Sequence, residues 1–139
     1  MLAAIEPHVM NLITFLRTAW ANISIRYDNT IIIKGVEELK AGIECDIVSD
    51  YIQSGTYMVM WALAAKESIT ITNARVEDLY IFIEKLKQAW VKIDILDNDS
   101  VRVYRSNNLK ALQIQTNIFP GFPTDLQSPF AMLMTQAVG

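Results

Sequence analysis

The sequence predicts an α/β protein built from repeated β-α-β-α-β-β units. The first observation is internal similarity at a spacing of 70 residues, because NLITFLRTAW-ANISI at Asn11–Ile25 lines up with IFIEKLKQAW-VKIDI at Ile81–Ile95. The second is that each run changes from the hydrophobic spacing of a helix to the alternation of a strand. The third is size, since 139 residues with 52% hydrophobic and 19% charged residues suit one core or two very small ones.

The N-terminal part is predicted to form a helix followed by a β-hairpin. Glu6-Pro7 is typical of a helix start, because proline fits the first turn. The helix has one apolar stripe, formed by Val9, Leu12, Ile13, Leu16 and Ala19. One strand then contains Ile23 and Ile25, and the turn cluster Tyr27-Asp28-Asn29 leads to a second strand at Thr30–Lys34.

The middle of the chain is predicted to contain a complete unit. It starts with a strand at Glu44–Val48, a helix around Ile52–Met60 and a strand at Ser68–Asn73. The next helix carries the stripe Leu79, Phe82, Ile83, Leu86 and Ala89. A second hairpin follows, with Ile93 and Ile95 on one strand, a turn rich in Asp and Asn, and Val101–Tyr104 on the other strand.

The C-terminal part is predicted to be a strand at Ala111–Thr116 and a last helix that Pro123 and a capping Asp125 begin. This helix resembles the earlier one, because Leu126–Met134 aligns with Ile52–Met60. The prediction is therefore an α-β-β tail at residues 1–40, a complete repeat at 41–106 and a β-α head at 107–139. We expect the head to pack with the tail.

Charge and composition argue against several classes of function. A net charge of −3 and a pI near 5.1 disfavour binding to a nucleic-acid backbone. The longest strongly apolar stretch, Tyr57–Ala65, covers about half of a membrane span. One His and one Cys fall short of a zinc site, and no glycine-rich nucleotide loop is present, so no metal or cofactor is expected.

The single cysteine predicts a reducing compartment. Cys45 cannot form an internal disulfide, and the first residues lack the pattern of a secretion signal, so we expect a cytoplasmic protein. Because Cys45 falls in the predicted strand Glu44–Val48, it is expected to be a small buried side chain and not a reactive thiol.

Three segments resemble a known family. PGFPTDLQ at Pro120–Gln127, AAIEPH at Ala3–His8 and SDYIQSGTYM at Ser49–Met58 are similar to the corresponding parts of the UDP-N-acetylglucosamine enolpyruvyl transferases, the 1-carboxyvinyltransferases of cell-wall precursor synthesis. The resemblance implies an inside-out α/β barrel made of β-α-β-α-β-β units. It also implies that this chain is a middle slice, about a third of the family's length, which straddles the boundary between the two family domains.

The resemblance implies a reaction and a set of site residues. The family transfers an enolpyruvyl group from phosphoenolpyruvate to the sugar 3-hydroxyl of UDP-N-acetylglucosamine. Asp125 occupies the family's PTD carboxylate and is expected to act as general base, with Thr124 shaping the sugar side. Glu6 and Asp50 match acidic positions of the family's cleft. The family's cysteine loop and phosphate-binding cations lie upstream of the aligned part, so the chain alone is expected to be inactive.

Trp20 and Trp90 depart from the family pattern, because glycine is usual at both positions. A left-handed helix cap costs a residue with a Cβ about 1–2 kcal/mol. Either both helices end without such a cap, or burial of the indoles offsets the strain. The replacement of small family residues by large apolar ones leaves three interpretations open: ordinary core variation, self-association into a homo-oligomer, or an engineered fragment. The alternative function is accordingly a non-catalytic structural or self-associating module.

Overall fold

The computed structural model describes residues 3–139, which form two compact units divided between residues 48 and 49. The first unit contains helix α1 (Pro7–Thr18) and strands β1 (Asn22–Ile25) and β2 (Ile31–Lys34). The second contains, in order, α2 (Tyr51–Ala64), β3 (Ser68–Ile71), α3 (Val76–Gln88), β4 (Ile93–Ile95), β5 (Val101–Tyr104), β6 (Leu109–Lys110), α4 (Gln127–Met134) and β7 (Ala137–Val138). None of the described helices is both long and apolar enough to cross a bilayer.

The first unit confirms the predicted helix and hairpin. Proline occupies the first turn of α1 and Glu6 precedes it. β1 and β2 pair antiparallel with Ile23 opposite Ile33. Residues 41–48 also belong to this unit, in which Asn11 of α1 donates to the Asp46 carbonyl at 3.0 Å and accepts from the Val48 amide at 3.4 Å.

The predicted strand at Glu44–Val48 is wrong. This segment pairs with no strand of the described chain, and most of its side chains are exposed. Its apolar residues do not share a covered face, and Ile47 is 82% exposed. The expectation of a buried Cys45 fails with the strand, since the thiol is exposed.

The second unit contains a three-stranded antiparallel sheet in the order β3-β5-β4. Ile93 lies opposite Val103 in the second hairpin, as Ile23 lies opposite Ile33 in the first. The two hairpins therefore share one register at a spacing of 70 residues. β3 adds to the other side of β5, with Ile69 opposite Val103.

The C-terminal segment differs from its prediction in two ways. Ala111–Thr116 forms no strand; Leu112 and Ile114 pack against the core, and the strand that does form nearby is the short β6, which pairs in parallel with β7. The last helix is preceded by a 3₁₀ turn at Thr124–Leu126, and Asp125 makes no capping hydrogen bond. Residues 107–139 belong to the same compact unit as 49–106. The expected packing of 107–139 with 1–40 stays a prediction.

An aromatic cluster holds this C-terminal segment on the second unit. The ring of Phe82 from α3 lies 5.4 Å from that of Phe122 and 6.3 Å from that of Phe130, centroid to centroid. All three side chains are buried. Edge-to-face aromatic pairs add about 0.5–1.5 kcal/mol beyond the area they bury. The cluster fixes the segment on both sides of the 3₁₀ turn.

Both tryptophans adopt the left-handed conformation, so both explanations offered for them are wrong. Their φ angles are +72° at Trp20 and +68° at Trp90, and the side chains are 61% and 64% exposed. Each lies at a helix C-terminus that a pair of backbone hydrogen bonds closes. At Trp90, its own N–H donates to the Lys87 carbonyl, and the N–H of Val91 donates to the Leu86 carbonyl. A lysine lies over each indole, Lys40 at 5.5 Å and Lys110 at 5.9 Å from the ring centroid.

Candidate functional site

The 3₁₀ turn presents Thr124 and Asp125 on the surface between two buried anchors. Phe122 and Leu126 are 2% and 0% exposed, whereas the threonine and the aspartate between them are more accessible to solvent. Backbone bonds brace the approach, since Asn117 N–H donates to the Phe122 carbonyl at 2.8 Å. Among residues 3–139 the Asp125 carboxylate has no hydrogen-bond or ion-pair partner. The buried side chains on either side thus fix the position of the turn that carries Asp125.

A glycine in α2 allows this turn to approach the helix closely. A Cβ at Gly55 would lie 2.8 Å from Leu126 Cδ1 and 3.1 Å from Phe82 Cε1. Both neighbours are fully buried and have little room to move. Gly55 therefore sets the distance between α2 and the turn that carries Asp125.

Asp50 caps the N-terminus of α2. Its Oδ1 accepts from the Ile52 amide at 2.8 Å and from the Gln53 amide at 3.2 Å. A carboxylate at this position also interacts favourably with the helix dipole. The predicted cleft residue therefore has a structural role that sequence reasoning did not assign to it.

Asp50 also lines a cleft of about 420 Å³ between α2 and β3. The walls are polar and apolar in similar measure and come from Ser49, Asp50, Gln53, Ser54, Tyr57, Trp61 and residues 69–73. The Ser49 Oγ is buried there without a hydrogen-bond partner in the described part of the chain. Neither Thr124 nor Asp125 is among these lining residues. Asp50 at the start of α2 and Asp125 on the 3₁₀ turn therefore do not line the same cleft, although α2 and the turn contact each other.

Glu6 lies in the first unit, just ahead of α1. It makes no side-chain cap for that helix. Its Oε2 atom is buried and has no hydrogen-bond partner within residues 3–139. A buried carboxylate oxygen without a donor is costly, so this is a position where a donor from outside the described residues would be favourable.

Sequence reasoning missed a charged cluster at the start of α3. Arg75, which has a positive φ of 31°, contacts Asp78 through Nε at 2.9 Å and also pairs with Glu77. Burial raises the pKa of Asp78, and the Arg75 guanidinium partly opposes that change. The available signal was the position of Asp78 directly before the apolar Leu79, which brings it close to the buried face.

A second cleft, of about 640 Å³, adjoins this cluster. Glu77, Tyr80, Ile81, Pro120 and Gly121 line it, and its surface is mainly apolar. Within residues 3–139 no three side chains of the metal-binding types come together. The described residues therefore offer surface clefts and an unpaired carboxylate, and no ready metal site.

Comparison with known proteins decides the family. Residues 2–139 match the sequence model of EPSP synthase (3-phosphoshikimate 1-carboxyvinyltransferase). The chain belongs to this family. The predicted resemblance to enolpyruvyl transferases is confirmed.

Curated members of the family are similar to nearly the whole chain. UDP-N-acetylglucosamine 1-carboxyvinyltransferase 2 of Streptococcus mutans is 40% identical over 137 residues, which is 99% of this chain and 32% of that protein. UDP-N-acetylglucosamine 1-carboxyvinyltransferase of Lactobacillus johnsonii is 40% identical over 135 residues, with 97% and 32% covered. The chain thus spans about a third of the length of these relatives.

A solved family structure confirms the fold. The enolpyruvyl transferase NikO from Streptomyces tendae superimposes with a TM-score of 0.84 at 24% identity, over 99% of this chain and 33% of NikO. The predicted α/β architecture of enolpyruvyl transferase type is therefore the observed one.

Proposed function

We propose that this chain is a segment of an enolpyruvyl transferase that moves enolpyruvate from phosphoenolpyruvate to UDP-N-acetylglucosamine, in the cytoplasm and for peptidoglycan precursor synthesis. One observation carries the proposal. Relatives named UDP-N-acetylglucosamine 1-carboxyvinyltransferase are 40% identical to this chain in alignments that cover 97–99% of its length. The named activity belongs to proteins about three times as long, so this chain supplies part of the site.

In this proposal Asp125 removes the proton from the sugar hydroxyl that attacks phosphoenolpyruvate. A general base must lie within hydrogen-bond reach of the proton it takes, and it must not be neutralised by a neighbouring cation. Support comes from the exposed, unpaired carboxylate held between Phe122 and Leu126. Thr124 contacts the sugar beside it, and Asp50 and Glu6 contribute acidic groups to the family's cleft.

The chain alone is proposed to be inactive. Release of phosphate requires cationic groups around the phosphoryl oxygens and a proton donor for the enol carbon. By resemblance, the family's phosphate-binding cations and cysteine loop lie upstream of the part that aligns here. The activity therefore requires polypeptide beyond the segment present.

Titration with UDP-N-acetylglucosamine tests the proposed site. We expect millimolar ligand to shift backbone amide NMR signals around residues 122–127, and expect Asp125→Ala to abolish these shifts. Glu67→Ala is the matched control, because Glu67 is an exposed carboxylate without a side-chain partner among the described residues. Absence of shifts at millimolar ligand, or equal shifts in the Asp125→Ala variant, would contradict the assignment.

A self-associating module is the second candidate, and exposed apolar side chains favour it. Ile33, Ile47 and Met132 are 69%, 82% and 60% exposed. Association with another copy would remove such apolar side chains from water, which is favourable. Light scattering after size-exclusion chromatography tests this candidate. A homo-oligomer that does not bind UDP-N-acetylglucosamine supports it, and a monomer at high protein concentration counts against it.

A further inference from the structure

Helix α2 begins with a buried aromatic ring, that of Tyr51. This residue directly follows the cap Asp50, and it is 6% exposed. Its ring meets the ring of Phe119 edge to face, with 5.9 Å between the centroids and 68° between the ring planes. Such pairs attract because the positive edge of one ring faces the negative face of the other. The contact fastens the segment ahead of the 3₁₀ turn to the start of α2.

The loop from Asn117 to Phe122, which carries Phe119, is closed by its own hydrogen bonds. Asn117 N–H donates to the Phe122 carbonyl at 2.8 Å, and Gly121 N–H donates to the Ile118 carbonyl at 2.7 Å. A Cβ at Gly121 would lie 2.7 Å from Asn117 Cβ, so the two ends of this closed loop approach each other closely. Because these bonds hold the closed loop together, a displacement of Phe119 is passed on to Phe122 and to the turn that follows.

One face of α2 holds the 3₁₀ turn at two points. Tyr51 and Gly55 are four residues apart, so they lie on the same side of the helix. Gly55 lies against Leu126, the residue directly after Asp125. Tyr51 lies against Phe119, six residues before Asp125. The contacts on both sides of Asp125 along the chain therefore set its position relative to α2.

We propose that Tyr51 is a positioning residue for the general base, because its ring, through Phe119 and the closed loop, holds Asp125 in place relative to α2. This inference rests on the proposed function, in which Asp125 takes the proton from the sugar hydroxyl. A reacting group displaced by about 1 Å can slow a reaction about 100-fold. Because the Tyr51 ring is buried, it offers a substrate little surface, so its loss should lower kcat more than it raises KM.

Amide hydrogen exchange in the full chain, followed by NMR, tests whether the ring holds the turn. Tyr51→Ala removes the ring and Tyr51→Phe keeps it. The N–H of Leu126, which donates to the Pro123 carbonyl at 3.2 Å, reports opening of the turn. We expect exchange of this amide to be about tenfold faster in Tyr51→Ala and unchanged in Tyr51→Phe, since a factor of ten corresponds to the loss of one aromatic pair.

Two further variants complete this test. Phe119→Ala removes the same ring contact at a half-buried position, so it gives the result even if Tyr51→Ala does not fold. Val103→Ala is the matched control for lost core packing, because Val103 is fully buried in the sheet of the same unit and belongs to neither α2 nor the closed loop. We expect Phe119→Ala to reproduce the faster exchange at Leu126 and Val103→Ala to leave it unchanged, since the turn opens locally.

Enzyme kinetics test whether the positioned group is the base. The enzyme is a chimera in which this chain replaces the 137 aligned residues of the Streptococcus mutans relative. We expect Tyr51→Ala to lower kcat for phosphate release about 10–100-fold with little change in KM, and Tyr51→Phe to keep the parent kcat. In an Asp125→Asn background, Tyr51→Ala should lower kcat no further, because the group through which Tyr51 acts has already been removed.

The outcomes separate this inference from the proposed function. Faster exchange at Leu126 in the alanine variants, with kcat losses of Tyr51→Ala and Asp125→Asn that do not multiply, supports the positioning role. If Asp125→Asn lowers kcat and Tyr51→Ala does not, or if the two losses multiply, the positioning role is overturned and the proposed base stands. Unchanged exchange in both Tyr51→Ala and Phe119→Ala would also overturn the positioning role alone. If Asp125→Asn leaves kcat unchanged, the proposed base and its positioning by Tyr51 are both wrong.

Discussion

Replacing Trp90 separates the cost of its backbone conformation from the value of its side-chain contact. The φ of +68° costs a residue with a Cβ about 1–2 kcal/mol. The contact with Lys110, at 5.9 Å and largely exposed to solvent, is worth about 0.5–1 kcal/mol. Trp90→Ala keeps the strain and loses the contact, whereas Trp90→Gly loses both.

The two variants should therefore differ in their free energy of unfolding. Glycine relieves about 1–2 kcal/mol of strain but gains about 0.4–1 kcal/mol of freedom in the unfolded chain, so Trp90→Gly should be about 1 kcal/mol more stable than Trp90→Ala. Urea unfolding followed by far-UV circular dichroism measures this difference without relying on indole fluorescence. Lys110→Met is the control for the cation–π contact. An alanine variant as stable as the glycine variant would refute the strain argument.

Three further substitutions test the packing and electrostatics of the second unit. Gly55→Ala should destabilise by about 1–3 kcal/mol in urea unfolding, because its Cβ would lie 2.8 Å from Leu126, and the cost should shrink in a Leu126→Ala background. Asp50→Ala should cost about 0.5–2 kcal/mol by removing the cap of α2, while Asp50→Asn retains most of the stability. The raised pKa of Asp78 means that the folded state binds more protons than the unfolded state above the ordinary carboxyl pKa, so the contribution of this group to stability falls as pH rises. Asp78→Asn should therefore gain stability relative to the parent as the pH is raised from about 3 to about 7, and a parallel pH dependence of the two proteins would contradict this.

The hairpins and helices were predictable because each has its own hydrophobic period and a second copy in the sequence. Ile23 and Ile93 align at the 70-residue spacing from sequence alone, and their strands have the expected register. Alternation alone was not sufficient at Ala111–Thr116, where Leu112 and Ile114 pack inward although no strand of the described chain pairs with them. A strand requires a partner, and local periodicity does not specify pairing between distant segments.

The site was harder to predict than the fold. Sequence reasoning placed Asp125 as a helix cap, but backbone geometry put a 3₁₀ turn there and left the carboxylate unpaired. Asp50, by contrast, does cap a helix. The conformation of Trp20 and Trp90 depends on hydrogen bonds that close the helix ends. The burial of Asp78 depends on tertiary packing, to which its position before Leu79 was the one sequence clue.

Exchange of segments would show whether this chain can supply its share of a working transferase. The 137 aligned residues of the Streptococcus mutans relative would be replaced by this chain, and phosphate release from phosphoenolpyruvate and UDP-N-acetylglucosamine measured. We expect an active chimera whose kcat falls by about 10²–10⁴-fold with Asp125→Asn, the usual contribution of a general base. A folded chimera without activity, or one that Asp125→Asn leaves equally active, would show that the chain does not carry the proposed base.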